Sequence, residues 1–196
     1  MDLSLSHLFS MARFTVQKPR EGARMVMQAD VPTGARWVAL ALTAVLSALL
    51  AHISFSLLPA DELATVPESA LSPIVTAVIQ AVIMVLSVVL IHWVGKLFKG
   101  TGSFDDGLIL LVWLQFIVLF LQVLQILVQI AFPSVFSNVI GILSLVLFLW
   151  LLINFIAELH GFRSVLLTAV GFMGALFIFA FILALLVFPM LGVQVQ

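Results

Sequence analysis

The sequence predicts an all-α integral membrane bundle of five transmembrane helices, preceded by a short N-terminal amphipathic interfacial helix. Three observations predict it. Five apolar runs, residues 37–58, 74–94, 108–132, 139–157 and 164–188, contain no Asp, Glu, Lys or Arg. All eight basic and nine acidic residues fall between or outside them. A bilayer core of about 30 Å needs about 20 helical residues to cross it, and each run meets that length. Composition agrees: 64% of residues are apolar and 9% charged, against about 45–50% and about 25% in a soluble domain.

The same numbers exclude function classes. A net charge of −1 argues against a nucleic-acid binder, which concentrates basic charge on one face. The chain has no cysteine, so disulfides, thiolate nucleophiles and thiolate metal sites are ruled out. Three regions are expected: a basic amphipathic cytoplasmic arm over 1–36, a membrane domain over 37–188, and a short non-cytoplasmic tail over 189–196. The arm lacks an apolar core followed by a small-residue cleavage site, so it is not read as a cleavable signal peptide.

Within the arm, Leu5, Leu8, Phe9, Ala12 and Val16 repeat with helical spacing, while Ser6, Ser10, Arg13 and Gln17 lie away from that face. A basic amphipathic helix of this kind suits the lipid interface, and a simple anchor is preferred over a recognition arm. Pro19 opens a second short helix over 20–28, because proline fits a helix's first turn. Pro32 and Gly34 break it before the first span.

Lys and Arg gather in cytoplasmic loops. Arg13, Lys18, Arg20, Arg24 and Arg36 precede the first span. Lys96 and Lys99 follow the second span, and Arg163 follows the fourth. The segments on the other side carry none, only Asp61, Glu62 and Glu68. This predicts a cytoplasmic N-terminus and a C-terminus on the opposite side. Trp37 and Trp93 fall at inner helix ends, and Trp113 and Trp150 in the inner halves of their spans.

Small residues mark two packing faces: Ala41, Ala44, Ala48 and Ala51 on the first span, and Gly171, Ala175, Ala180 and Ala184 on the fifth. Such faces let helices approach closely in lipid. The 95–107 segment is glycine-rich, yet its spacing matches no phosphate-binding loop. It reads as a helix start, with Ser103 capping the third span, Asp106 completing a variant capping box, and Asp105 suiting the helix dipole. The short turns 133–138 and 158–163 set the third, fourth and fifth helices antiparallel.

The third span carries the strongest candidate contacts. Gln115, Gln122 and Gln129 recur every seven residues, drifting about 20° per step, with Gln125 on the flank. Amides in lipid need partners. Gln80, Asn154, Ser47, Ser87 and Ser144 are the candidates. Interhelical hydrogen bonding is preferred over a polar path for a solute, since transporters usually carry an ionisable group at depth and only His52 qualifies. His92, His160, Glu158 and Asp105 or Asp106 could be assembled into a metal site, but no spacing demands it. Glu158 and Arg163 read as a solvated pair. No span holds a carboxylate, and no hydrolase motif is present, so no catalytic residue, cofactor or metal is expected.

The pattern resembles the Yip1 family of polytopic membrane proteins, particularly its short bacterial members. The resemblance rests on Lys18-Pro19-Arg20 in the basic arm, on Gly100-Thr101-Gly102-Ser103-Phe104 after the second span, on Trp113 and Gln115 in the third, and on His160-Gly161-Phe162, within 8–188. It implies five helices and a cytosolic N-terminus. Eukaryotic relatives are implicated in small-GTPase binding and vesicle traffic through a longer cytosolic region, and that activity is not carried over to this arm. The expectation is a non-enzymatic multi-pass protein of a bacterial inner membrane, acting in membrane organisation or as a scaffold for other membrane proteins. The alternative is a small-solute transporter, channel or permease subunit. Its expected partners are membrane lipids and other membrane proteins or further copies of itself.

Overall fold

The computed structural model describes residues 5–132 and 135–190, with side chains placed over 6–132 and 139–177. Among the described residues every regular element is helical. The arm forms α1 (Leu5–Gln17) and α2 (Pro19–Gln28). The long helices are α3 (Thr33–Ser56), α5 (Pro73–Leu97), α6 (Phe104–Ala131), α7 (Val135–His160) and α8 (Val165–Met190). A single turn, α4 (Ala60–Leu63), and a 3-10 turn (Glu68–Leu71) connect α3 to α5. Four helices, α3, α5, α6 and α7, are long and apolar enough within the described side chains to cross a membrane. The expected 133–138 connection lies partly outside the described residues, as does the 189–196 tail beyond Met190.

α6 is the axis. Over an 18-residue apolar stretch of each helix, 61% of α6 is buried, against 28%, 17% and 22% for α3, α5 and α7. It packs against α3, α5, α7 and α2. Ser47 meets Gln122, and Ser54 meets Gln129. Both numbers rise together, so α3 and α6 run parallel, and α5 returns between them. The inward face of α3 is Leu40, Thr43, Ala44, Ser47 and Ala48. This shifts the expected alanine stripe: Ala44 and Ala48 are buried, whereas Ala41 is exposed. Small side chains still set the spacing, but Thr43 and Ser47 share the seam. Elsewhere α3 and α5 present exposed leucine, isoleucine and valine, as helices facing lipid do.

The helix ends follow local chemistry. Ser103 Oγ accepts from the Asp106 backbone N–H at 3.0 Å and donates to Asp106 Oδ2 at 2.6 Å. Both acids of the first turn, Asp105 and Asp106, stand at the positive end of α6. α5 ends in a left-handed Lys99, φ 62°, which turns the Gly100 N–H back onto the Gly95 carbonyl at 2.8 Å.

α1 does more than present an apolar face. Its buried residues are Met11, Ala12 and Thr15. Thr15 Oγ1 accepts a 3.2 Å hydrogen bond from Trp113 Nε1. The Phe9 ring meets Phe120 edge-on at 5.8 Å, extending a ladder through Phe116 to Trp113. Trp113 is therefore buried, unlike the exposed Trp37, Trp93 and Trp150.

Candidate functional site

The polar residues of the described structure concentrate in two places. The first is the seam between α3 and α6. Gln115 Nε2 donates to Ser47 Oγ at 3.1 Å, and Gln122 Nε2 donates to the same oxygen at 2.9 Å. The Ser47 hydroxyl lies 3.0 Å from Gln122 Oε1, to which it can donate in return. Gln129 Nε2 reaches the Ser54 carbonyl at 3.4 Å. Gln125 faces the other way, its amide nitrogen close to Gly141 on α7. One serine thus serves two glutamines a heptad apart, which is what a slow 20° drift allows. Of the other candidate partners, Asn154 and Ser87 bond back to carbonyls of their own helices, Trp150 and Ile83.

The second place is the end of the bundle that carries the basic residues. Here α2 is tied to the turn between α7 and α8. Arg20 Nε donates to Glu158 Oε2 at 2.9 Å. Arg24 meets Glu158 Oε1 through Nε at 2.9 Å and Nη2 at 2.6 Å. Arg20 also donates to the carbonyls of Phe162 at 2.9 Å and Arg163 at 3.4 Å. The Glu158 side chain is 10% exposed. The expected Glu158–Arg163 pair is replaced: Glu158 takes two arginines from α2, because the planar guanidinium fork matches a carboxylate and a row of carbonyls at once. Arg163 contributes only its backbone oxygen to this clasp.

Beside the clasp, the glycine-rich segment closes around His160. A side chain on Gly95 would collide with the imidazole. One on Gly100 would come within 2.5 Å of Nδ1, and one on Gly102 within 2.6 Å of Leu159. These glycines are present because the ring and the end of α7 lie directly against their backbone. His160 Nε2 sits 3.2 Å from the Ile91 carbonyl, and the ring stacks on Phe162 at 5.5 Å. Thr101 N–H bonds the His160 carbonyl at 3.4 Å. Gly161 turns the chain with a φ of +70°, a conformation that favours glycine.

The metal assembly considered from sequence is not formed. Glu158 is taken by arginines, Asp106 by Ser103, and His160 by the glycine wall. Among the described residues no group of three or more His, Asp or Glu is placed to hold a metal ion. A cavity of about 410 Å³ lies beside the clasp, between α5, α7 and α8. It is not lined by any of the four glutamines.

Sequence reasoning missed three partnerships: the Arg20–Arg24–Glu158 clasp, the enclosure of His160, and the Thr15–Trp113 bond. The one available signal was the glycines themselves, dense in a segment whose spacing fits no phosphate cradle. The motifs that carried the resemblance converge here. Arg20 meets the Phe162 carbonyl, Gly100 and Gly102 wrap the His160 region, and Trp113 holds α1.

No curated protein and no solved structure matches the chain. The Yip1 domain profile matches residues 14–186, nearly the whole span from the arm to the end of α8, and the chain is a membrane protein belonging to the Yip1 family.

Proposed function

We propose that this protein is a non-enzymatic scaffold of the membrane, organising the bilayer or holding other membrane proteins. In this reading five helices cross a bacterial inner membrane, α8 being the fifth, with the arm in the cytoplasm. The observation that carries it is the internal use of polar groups. Three of the four glutamines of α6 bond to α3, and Arg20, Arg24 and Glu158 bond between the arm and the end of α7. The groups that a catalyst or a solute path would use are occupied in holding helices together. What remains outward-facing on α3 and α5 is an apolar surface toward lipid, and the exposed Ala41 on α3 is the kind of small residue at which another membrane protein or a second copy would pack closely.

The chain's lack of cysteine gives the test a clean background. Single cysteines at exposed Val45 on α3 and Val82 on α5 are crosslinked in native membranes, and mass is measured in mild detergent. A discrete crosslinked species of defined mass from one of these faces supports the scaffold. A strictly monomeric protein without crosslinks from either face overturns it. So does solute flux in liposomes that Gln122→Leu abolishes.

A further inference from the structure

The cavity between α5, α7 and α8 lies away from the glutamine seam and shares with the clasp only Phe162 and Arg163, of which the clasp uses the backbone carbonyls. Its volume of about 410 Å³ lies within the roughly 300–1,000 Å³ of typical ligand sites. Ile91 and Phe98 of α5 and Leu167 and Phe172 of α8 form apolar walls. Gly171 leaves the slot unfilled, since a side chain there would meet only the Phe98 ring, at 3.9 Å. Phe98 is 53% and Leu167 71% exposed, so the cavity opens sideways through the surface of the bundle. In a membrane protein that opening faces acyl chains. From the start of α8 at Val165 to Phe172 it follows the helix for about 10 Å at 1.5 Å per residue, which is about a third of a 30 Å hydrocarbon core.

Its polar end is basic. Arg163 lines the cavity and is exposed. Among the described residues its guanidinium has no hydrogen-bond or ionic partner, unlike those of Arg20, Arg24 and Arg36. No carboxylate lines the cavity, and Glu158 close by is held by α2. Lys96 and Lys99 stand at the same end of α5. An apolar slot with an unused guanidinium at its mouth is complementary to an anionic amphiphile. Arginine pairs with phosphate oxygens in bidentate fashion, and basic pockets between membrane helices hold anionic head groups.

We propose that this cavity binds an anionic phospholipid of the surrounding bilayer, with one acyl chain between α5 and α8 and the phosphate at Arg163. A zwitterionic lipid fits the apolar walls equally well and carries the same phosphate, but its quaternary ammonium is repelled by Arg163 and the nearby Lys96 and Lys99, so the basic mouth supplies the headgroup selectivity and the slot supplies the occupancy.

The full-length chain is reconstituted in phosphatidylcholine nanodiscs containing phosphatidylglycerol. Retained lipid is then read by native mass spectrometry, and its position by a phosphatidylglycerol carrying a photoreactive acyl chain. One phosphatidylglycerol is expected to be retained about tenfold over phosphatidylcholine, because its headgroup keeps a net negative charge beside Arg163 where choline cancels it. Arg163→Gln, an exposed change that leaves the packing alone, is expected to bring that preference to about twofold or less, and Arg163→Lys to restore part of it. Gly171→Leu fills the slot and removes photolabelling of α5 and α8 while helical content stays unchanged. The proposal is overturned if wild type shows no preference, if the preference survives Arg163→Gln, or if the photolabel maps outside α5 and α8.

Discussion

Glu158 is one carboxylate answering two arginines, and its position decides what its loss does. Exposed ion pairs contribute about 0–1 kcal/mol, and breaking a buried pair costs about 3–5 kcal/mol. Glu158 is 10% exposed, while Arg20 and Arg24 are 34% and 58% exposed, so Glu158→Gln should destabilise the seated arm by about 1–3 kcal/mol. The readout is trypsin cleavage after Arg20 and Arg24 in mild detergent, expected to quicken at least several-fold while the membrane helices stay intact. Unchanged cleavage would remove the clasp as a stabilising element. Gly95 offers a different test, because its requirement is spatial. Gly95→Ala drives a methyl into His160 and should cost about 1–3 kcal/mol as overpacking does. His160→Ala in the same chain should recover part of the loss. If the double variant is no better than the single, the imidazole is not what demands the glycine.

At the scale of the helix, one hydroxyl on α3, that of Ser47, serves two glutamines of α6. Ser47→Ala strips a partner from both Gln115 and Gln122. At roughly 0.6 kcal/mol per interhelical bond in lipid, the thermal stability of the purified protein should fall by about 1–2 kcal/mol. Gln122→Leu added to Ser47→Ala should then do little more, and full additivity of the two losses would show that they are not coupled. The heptad spacing of the glutamines was legible in the sequence because a helix turns by a fixed angle. Their choice of Ser47 was not, since several polar residues on other spans were equivalent until α3 and α6 were known to run parallel. α1 shows the same boundary. Leu8, Ala12 and Val16 mark an apolar face by spacing alone, but spacing cannot say whether lipid or Phe116 and Phe120 cover it. Met11 and Thr15, off the expected face, turned out to be buried.

For the whole molecule, the long helices were readable to within about four residues at each end, because the cost of placing a charge in hydrocarbon leaves uninterrupted runs. The clasp was not readable: it joins residues 138 and 134 positions apart, and no local pattern records such a meeting. Charge asymmetry gives a prediction at this scale. Reporters fused to the two ends should report opposite compartments, the N-terminal one cytoplasmic, and a shared compartment would rule out five crossings. The length of the clasp also orders the protein's birth. Arg20 and Arg24 leave the ribosome long before Glu158 exists, so every nascent chain passes through a period in which its basic arm is unattached. During that interval the arm is available to anionic headgroups or to the insertion machinery, and its seating against α7 closes synthesis rather than beginning it.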